Sequence, residues 1–195
     1  MKIKDWYTVE NGKAVIEIRV AKLRQLFDER DPNPFTEKDL DDDAVDYILS
    51  SVQEVGIKKV GKIRVLTSDI INDESSSIIQ EAFKDYFHYR EVIARKKLRA
   101  VINIGFKSLL IGIIFLMGAT YISSAFKWPA SDNFIWHFLK EGLILLGWVS
   151  MWKPINIFLY EWWPLIDLRD AFIFLKEIKV DISQDNKTEL NTHIL

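Results

Sequence analysis

The stretch SLLIGIIFLMGATYISSAF, from Ser108 to Phe126, contains nineteen consecutive residues without a formal charge. At ~1.5 Å per residue, a helix of this length covers the hydrocarbon core of a bilayer. A chain of 195 residues offers too little protein to bury such a helix on every side, which disfavours a core helix of a soluble protein. We therefore expect a first membrane span over residues 105–126.

A second apolar stretch follows, over residues 138–157, and it continues into WKPINIFLYEWWP, Trp152 to Pro164. A lysine near the end of a span extends its ammonium toward the headgroups, and a proline bends or ends a helix. We therefore expect a second crossing over residues 138–157. Lys153 then marks the inner interface, and Pro154 bends the chain away from the membrane axis.

Aromatic residues are dense in this second stretch. Indole and phenol groups favour the headgroup region over the hydrocarbon centre, so the pattern predicts an aromatic belt; an aromatic box for a substrate is the alternative. The predicted membrane-interface motif consists of Trp152, Pro154, Tyr160, Trp162, Trp163 and Pro164.

Basic residues are concentrated before the first span, whereas the segment beyond it offers only Lys127. The positive-inside rule therefore predicts that the N-terminal part is cytoplasmic, and two crossings place both termini on that side. Because the basic run stands directly beside a span and the net charge is -2, we expect lipid contact and no nucleic acid partner. Arg99, Lys107 and Lys153 are candidate contacts for anionic headgroups, with simple snorkelling as the alternative.

The remaining sequence alternates between strand and helix patterns. Charged and apolar residues alternate at Ala14–Val20, Lys62–Leu66 and Glu177–Ile182, as in half-buried strands. Residues 40–55 place apolar side chains on one helical face, and a long helix starts near residues 72–77 and continues into the first span. Because two strands are marginal alone, we expect the C-terminal strand to join the N-terminal pair.

The predicted fold class is α+β: a small cytoplasmic domain of about three strands, combining N- and C-terminal segments, fused to a two-helix transmembrane hairpin. We expect a cytoplasmic domain with a basic juxtamembrane helix over residues 1–99 and the hairpin over residues 100–160. Residues 161–195 then form a cytoplasmic amphipathic segment, the last strand and a tail.

Signatures of chemistry are absent from the sequence. The chain has no cysteine, no glycine-rich phosphate loop and no metal-protease motif. The acidic run DLDDDAVD, Asp39 to Asp46, fits the N-terminus of a helix better than a metal site. We therefore expect no cofactor, no metal and no enzymatic activity.

Three segments carry a resemblance: LRQLFDERDPNPFTEKDLDDDAVDYI, FHYREVIARKKLRAVINIGFKSLLIG and GWVSMWKPINIFLYEWWPL. Together they resemble a family of small, uncharacterised bacterial inner-membrane proteins with a cytoplasmic domain and a two-helix hairpin. The resemblance implies a location in the bacterial inner membrane and transfers no catalytic residue. By analogy it points to a candidate partner surface at Asp31, Pro32, Pro34 and Phe35, and to the membrane-interface motif.

These observations lead to three functional hypotheses. The first is a non-enzymatic membrane adaptor or accessory subunit whose cytoplasmic domain recruits or positions a protein partner. The second is a protomer of a homo-oligomeric channel or transporter, in which Lys140, Glu141 and Lys153 line a pathway. The third is an enzyme acting on lipid headgroups through acids such as Asp31 or Asp39.

Overall fold

The computed structural model describes residues 6–28, 30–32, 38–125 and 134–185, with the backbone alone at residues 73–75. The chain divides into two compact units. The first, called the sheet unit, comprises the described residues up to Ile93 and those from Arg169 on. The second, called the helix unit, comprises the described residues within Ala94–Leu168.

The sheet unit contains a four-stranded sheet in the order β1-β2-β3-β4, formed by Thr8–Glu10, Lys13–Val20, Val60–Thr67 and Lys179–Gln184. β1 pairs antiparallel with β2, whereas β2–β3 and β3–β4 are parallel. The predicted α+β class and the joining of the C-terminal strand to the N-terminal strands are therefore confirmed. The register pairs Ile63 with Ile16 on one side and with Val180 on the other.

Strand β1 was not predicted, so the sheet has four strands instead of about three. Asn11 and Gly12 form a two-residue turn between β1 and β2, with φ of 51° and 76°. Positive φ at both positions is typical of the type I′ turns that join antiparallel strands. The pair Asn-Gly was the signal in the sequence, but β1 is only three residues long and too short to show alternation.

Helix α1, Asp42–Val55, connects the parallel strands β2 and β3. Asp41 caps its start, because a side-chain oxygen accepts hydrogen bonds from the N–H groups of Asp43 and Ala44 at 3.1 and 3.3 Å. Gly56, with φ of 91°, ends it. The face predicted to be apolar is confirmed as buried: Val45, Ile48, Val52 and Val55.

One face of the sheet is covered by apolar side chains. α1, the first turns of α2 (Asp73–Ala125) and the end of α5 (Trp163–Leu175) supply buried residues to this core. Phe87 of α2 and Phe172 of α5 lie with ring centroids 6.2 Å apart. The other face carries ion pairs: Lys62 lies 2.7 Å from Glu10 and 2.9 Å from Asp181, and Arg64 lies 3.0 Å from Glu17.

Polar contacts fix the position of the C-terminal strand. The Gln80 side-chain amide donates to the Ile178 carbonyl at 3.0 Å and accepts from the Val180 N–H at 2.7 Å. Lys176 Nζ lies 2.9 Å from Glu91 Oε2, and the Glu91 side chain is only 4% exposed. Because a buried carboxylate without a partner is costly, the Lys176 ammonium stabilises Glu91 in this buried position.

The helix unit contains the later part of α2, then α3 (Phe134–Val149), α4 (Trp152–Asn156), a π-helical turn (Ile157–Glu161) and the start of α5. The predicted long helix is confirmed, since α2 is continuous over 53 residues. Two helical stretches, within Ser76–Ala125 and Phe134–Leu175, are long and apolar enough to span a membrane.

The second stretch is interrupted close to Pro154, where the sequence predicts a bend. α3 ends at Val149, and the helix resumes at Trp152 after Ser150 and Met151. Proline has no N–H, so Pro154 leaves the carbonyl four residues upstream, that of Ser150, without its helical donor. The break therefore lies just before Pro154.

Candidate functional site

The segment with Lys153 and Pro154 contains a cluster of polar side chains. Lys153 Nζ lies 2.9 Å from Glu161 Oε1, and Asn156 Nδ2 donates to the same oxygen at 2.7 Å. These three residues, Lys153, Asn156 and Glu161, are called the polar cluster below. Its effect is to neutralise the Lys153 ammonium within the segment itself.

The π-helical turn brings the polar cluster together. Glu161 follows Asn156 by five residues and Lys153 by eight. In a regular α-helix, residues five apart point about 140° away from each other, whereas the wider π turn aligns them. Trp162 Nε1 donates to the Phe158 carbonyl at 2.7 Å and so satisfies a backbone group of this turn.

Exposed aromatic side chains surround the polar cluster. Trp152 is 72% exposed, Tyr160 is 67% exposed and Trp163 is 58% exposed. The rings of Trp162 and Trp163 lie 4.9 Å apart. Polar groups ringed by exposed amphipathic aromatics are the composition that suits a membrane–water interface. Of the remaining motif residues, Pro154 is buried and Pro164 is exposed.

Glycines place α2 close to this segment. A Cβ at Gly105 would lie 2.9 Å from Ile157 Cγ2, and one at Gly112 would lie 3.1 Å from the Ser150 carbonyl oxygen. A Cβ at Gly147 would lie 3.2 Å from the Ala119 Cβ. Residue numbers increase along α2 from Gly105 to Ala119, whereas the numbers of the residues that they contact decrease from Ile157 to Gly147. α2 therefore packs antiparallel to α3 and α4.

These contacts also show where the candidate headgroup residues lie along the axes of the paired helices. Lys107 lies between Gly105 and Gly112, and Lys153 lies between their opposite contacts, so the two lysines are at one level of the helix unit. Arg99 precedes Lys107 by eight residues, or ~12 Å along a helix. Lys107 forms no ion pair with any residue in the described ranges, and contact of these three cations with anionic headgroups stays a prediction.

Glycine contacts were only partly anticipated by the sequence. Gly112 and Gly118 lie six residues apart inside the charge-free run, which is not the Gly-x-x-x-Gly spacing of closely packed membrane helices and is therefore a weak signal. Gly112 does lie at the contact, but a Cβ at Gly118 would have no neighbour within 4 Å. Two other glycines also lie at the contact. Gly105 precedes Gly112 by seven residues on α2, and Gly147 lies on the opposite helix. Only the packing of the helices shows that all three glycines lie at one interface.

Two residues of the candidate partner surface, Asp31 and Pro32, lie beside a well-defined backbone pairing in the sheet unit. Phe27 and Leu40 form an isolated antiparallel bridge, and the Asp28 N–H donates to the Asp39 carbonyl at 2.9 Å. Asp31 Oδ2 accepts from the Asp39 N–H at 2.8 Å. Burial and the nearby Asp31 charge raise the pKa of Asp39 above its ordinary value.

The four candidate partner residues are not all described. Asp31 and Pro32 are described and follow Asp28 in the chain. Pro34 and Phe35 lie outside the described residues. A single surface formed by all four residues therefore stays a prediction.

No metal centre is visible in the described ranges: no group of three or more His, Cys, Asp or Glu side chains is placed to hold an ion. The fold thus defines an α+β protein with two helices long and apolar enough to span a membrane. Comparisons with protein-family models, with curated proteins and with solved structures found no match. The family resemblance therefore stays an expectation.

Proposed function

We propose that this protein is a non-enzymatic integral membrane adaptor. The helix unit anchors it in a bacterial inner membrane, and the sheet unit recruits or positions a protein partner at the cytoplasmic surface. One observation carries the proposal: only 11% and 17% of the residues in the two apolar windows are buried. Large exposed apolar surfaces mark contact with lipid or with an apolar partner, whereas core helices of soluble proteins are mostly buried.

The sheet supports the proposed topology. β3 precedes the first candidate span and β4 follows the second, yet the two strands pair in register from Lys62–Lys179 to Thr67–Gln184. Paired strands must lie on the same side of a membrane, and this agrees with two crossings. The basic residues just before the first span, including Arg95, Lys96 and Lys97, favour the cytoplasmic side.

The pairing of residues 27–28 with residues 39–40 supports a role for the sheet unit in presenting a binding surface to a partner. The bridge between Phe27 and Leu40 and the hydrogen bond between the Asp28 N–H and the Asp39 carbonyl hold residues 27–28 beside residues 39–40. Binding loops are commonly presented in this way by a rigid scaffold. The proposed partner surface comprises Asp31, Pro32, Pro34 and Phe35.

The polar cluster supports anchoring over conduction. A pathway through several copies would use Lys153 as an open charge, but its ammonium is paired with Glu161 at 2.9 Å. An internally neutralised pair suits a segment that rests at the interface. We retain the oligomeric channel as the alternative that the following experiment distinguishes.

Native mass spectrometry of the full chain, extracted in discs of its own membrane, tests the adaptor function. We expect a stoichiometric foreign subunit with the wild-type protein. Phe35→Ala should lose this subunit while remaining in the membrane, and Lys58→Ala, an exposed residue elsewhere in the sheet unit, should keep it.

A closed homo-oligomer carrying only lipids would contradict the adaptor function. Ion flux through liposomes would then be measured for the wild-type protein and for Lys153→Leu. A flux changed by this substitution would assign the protein to the channel class. A foreign subunit retained by Phe35→Ala would instead remove the proposed partner surface.

A further inference from the structure

The sheet unit contains a cavity of about 290 Å³ that the adaptor function does not use. It lies where the 3-10 turn Leu23–Leu26 faces the first turns of α2. Its apolar wall is formed by Leu23, Phe27, Ile78 and Ile79. Phe27 and Ile79 are buried, whereas Leu23 and Ile78 are half-buried, so the wall extends from the core to the surface.

Hydrogen bonds hold one side of this cavity in place. The Leu23 N–H donates to Asp69 Oδ2 at 2.7 Å, and the Asp69 N–H donates to Thr67 Oγ1 at 3.2 Å. Thr67 is fully buried at the end of β3. These contacts fix the 3-10 turn relative to the sheet, so the space beside it belongs to the folded arrangement.

The polar lining of the cavity is unevenly charged. Lys22 and Arg24 are exposed at its rim, and Asp69 is the single acidic residue that lines it. One carboxylate oxygen of Asp69 is already engaged by the Leu23 N–H. The Lys22 ammonium forms no ion pair with any residue in the described ranges. Among the described lining residues the rim therefore carries two cations and one acid, and an anionic group there would lie beside the Lys22 ammonium.

The size of the cavity limits the ligand. Sites for small molecules commonly occupy roughly 300–1,000 Å³, and an apolar cavity of about 150 Å³ binds benzene. The space beside the 3-10 turn thus has room for a hydrocarbon segment about twice the size of benzene. A larger folded partner has no room inside it.

We infer that this cavity binds an anionic single-chain amphiphile, with the hydrocarbon chain against Leu23, Phe27 and Ile79 and the anionic group beside Lys22 and Arg24. A fatty carboxylate and an alkyl phosphate share this chemistry. The inference concerns a site in the sheet unit and does not depend on the membrane-adaptor function.

Photo-crosslinking to the full chain in lipid nanodiscs tests the site. The probes are decanoate and decyl phosphate, each with a diazirine on the chain, and the adducts are located by peptide mass spectrometry. We expect adducts on the apolar wall of the cavity. Unlabelled decanoate or decyl phosphate should suppress them, and the more effective competitor identifies the source. Decanol and decylamine should compete at least fivefold less well.

Variants separate this site from general partition into apolar surface. Ile78→Trp, which fills the cavity from a half-buried position, should abolish the adducts. Lys22→Glu should weaken labelling about fivefold, the size of one exposed ion pair, and Lys58→Glu is the matched control. Circular dichroism checks that each variant is folded, and Leu23→Trp is the second filling variant.

Three results would overturn the inference. The first is labelling confined to residues 104–125 and 134–163, because it would mean partition around the helix unit alone. The second is undiminished labelling in both folded tryptophan variants, since the cavity would then not be the binding site. The third is equal competition by decanol, decylamine and decanoate, which would remove the anionic selectivity.

Discussion

Glu161 shows how one side chain changes the character of an apolar segment. A single oxygen accepts from Asn156 and lies 2.9 Å from the Lys153 ammonium. A lone ammonium is costly in hydrocarbon, and a paired, hydrogen-bonded one costs less. Lys107, at the same level on α2, has no such counter-charge among the described residues. Lys107 is therefore the cation of this level that we expect to contact an anionic headgroup.

The contribution of the Asp181 ion pairs to stability can be tested by changing the pH. Hydrogen bonding from Lys179, and then from Lys62, holds the pKa of this carboxyl below its ordinary value. A carboxyl with a lower pKa in the folded state stabilises the fold above its unfolded pKa, and this contribution is lost as the pH falls through the folded pKa. Asp181→Asn should therefore reduce stability at pH 7 by about 1 kcal/mol.

The measurement is chemical unfolding of the full chain as a function of pH. We expect the stability of Asp181→Asn to approach that of the wild-type protein below about pH 4, the ordinary pKa of aspartate. Asp46→Asn is the control, because Asp46 is exposed and forms no ion pair within the described ranges. A constant difference between Asp181→Asn and wild type at every pH would contradict the assignment.

Small residues recur every seven positions along α2, at Gly105, Gly112 and Ala119. Each lies at a contact with the opposite helix. A seven-residue period keeps one helical face against an antiparallel partner, and small side chains permit the close approach on which helix packing in a membrane relies. Gly118 is next to Ala119 in the chain, but a Cβ at Gly118 would have no neighbour within 4 Å.

This arrangement predicts opposite effects for two identical substitutions. Gly112→Ala should lower stability by about 1–3 kcal/mol, because the new Cβ would lie 2.9 Å from Met151 Sδ and 3.1 Å from the Ser150 carbonyl oxygen. Gly118→Ala should be neutral or stabilising by up to about 1 kcal/mol, since alanine favours a helix and meets no neighbour.

Titration of the reconstituted protein with sodium dodecyl sulfate, followed by circular dichroism, gives the unfolding midpoints. An equal shift for Gly112→Ala and Gly118→Ala would show that the contact at Gly112 does not stabilise the helix pair. Gly105→Ala is a second test, because its Cβ would lie 2.9 Å from Ile157 Cγ2 and 3.1 Å from Phe158 Cζ.

At the scale of the whole molecule, exposed apolar residues are far more numerous on the helix unit than on the sheet unit. In water a charged substitution of an exposed residue changes stability little. Inside a bilayer, aspartate at the centre of a span costs about 2.5–3.5 kcal/mol. Two similarly exposed residues therefore distinguish the environments: Ile114 of α2, 62% exposed, and Tyr47 of α1, 49% exposed.

We expect Ile114→Asp to reduce the fraction of protein that remains in alkali-washed membranes, and Tyr47→Asp to leave it unchanged. The reason is that a carboxylate at residue 114 would face hydrocarbon, whereas one at residue 47 would face water. Western blotting of the membrane and supernatant fractions measures the difference. Equal retention of both variants would argue against the first span.

Local patterns in the sequence were enough to predict several parts of the molecule. The charge-free run from Ser108, the alternation at Ala14–Val20 and the apolar face of α1 were each readable, because side-chain periodicity reflects which face is buried. The cap at Asp41 and the continuity of α2 follow from equally local rules. Hence the α+β class and the two apolar helices were predictable.

The contacts between distant residues depend on the packing of the fold and were not predictable from local patterns. The contact between Asn156 and Glu161 depends on a π-helical turn that aligns residues five apart, and regular helical periodicity does not predict that pairing. The glycine contacts depend on the antiparallel approach of two helices. The cavity at Leu23 and Ile79 arises where a 3-10 turn and α2 leave space between them, because packing between elements, and not the pattern within one, determines such a void.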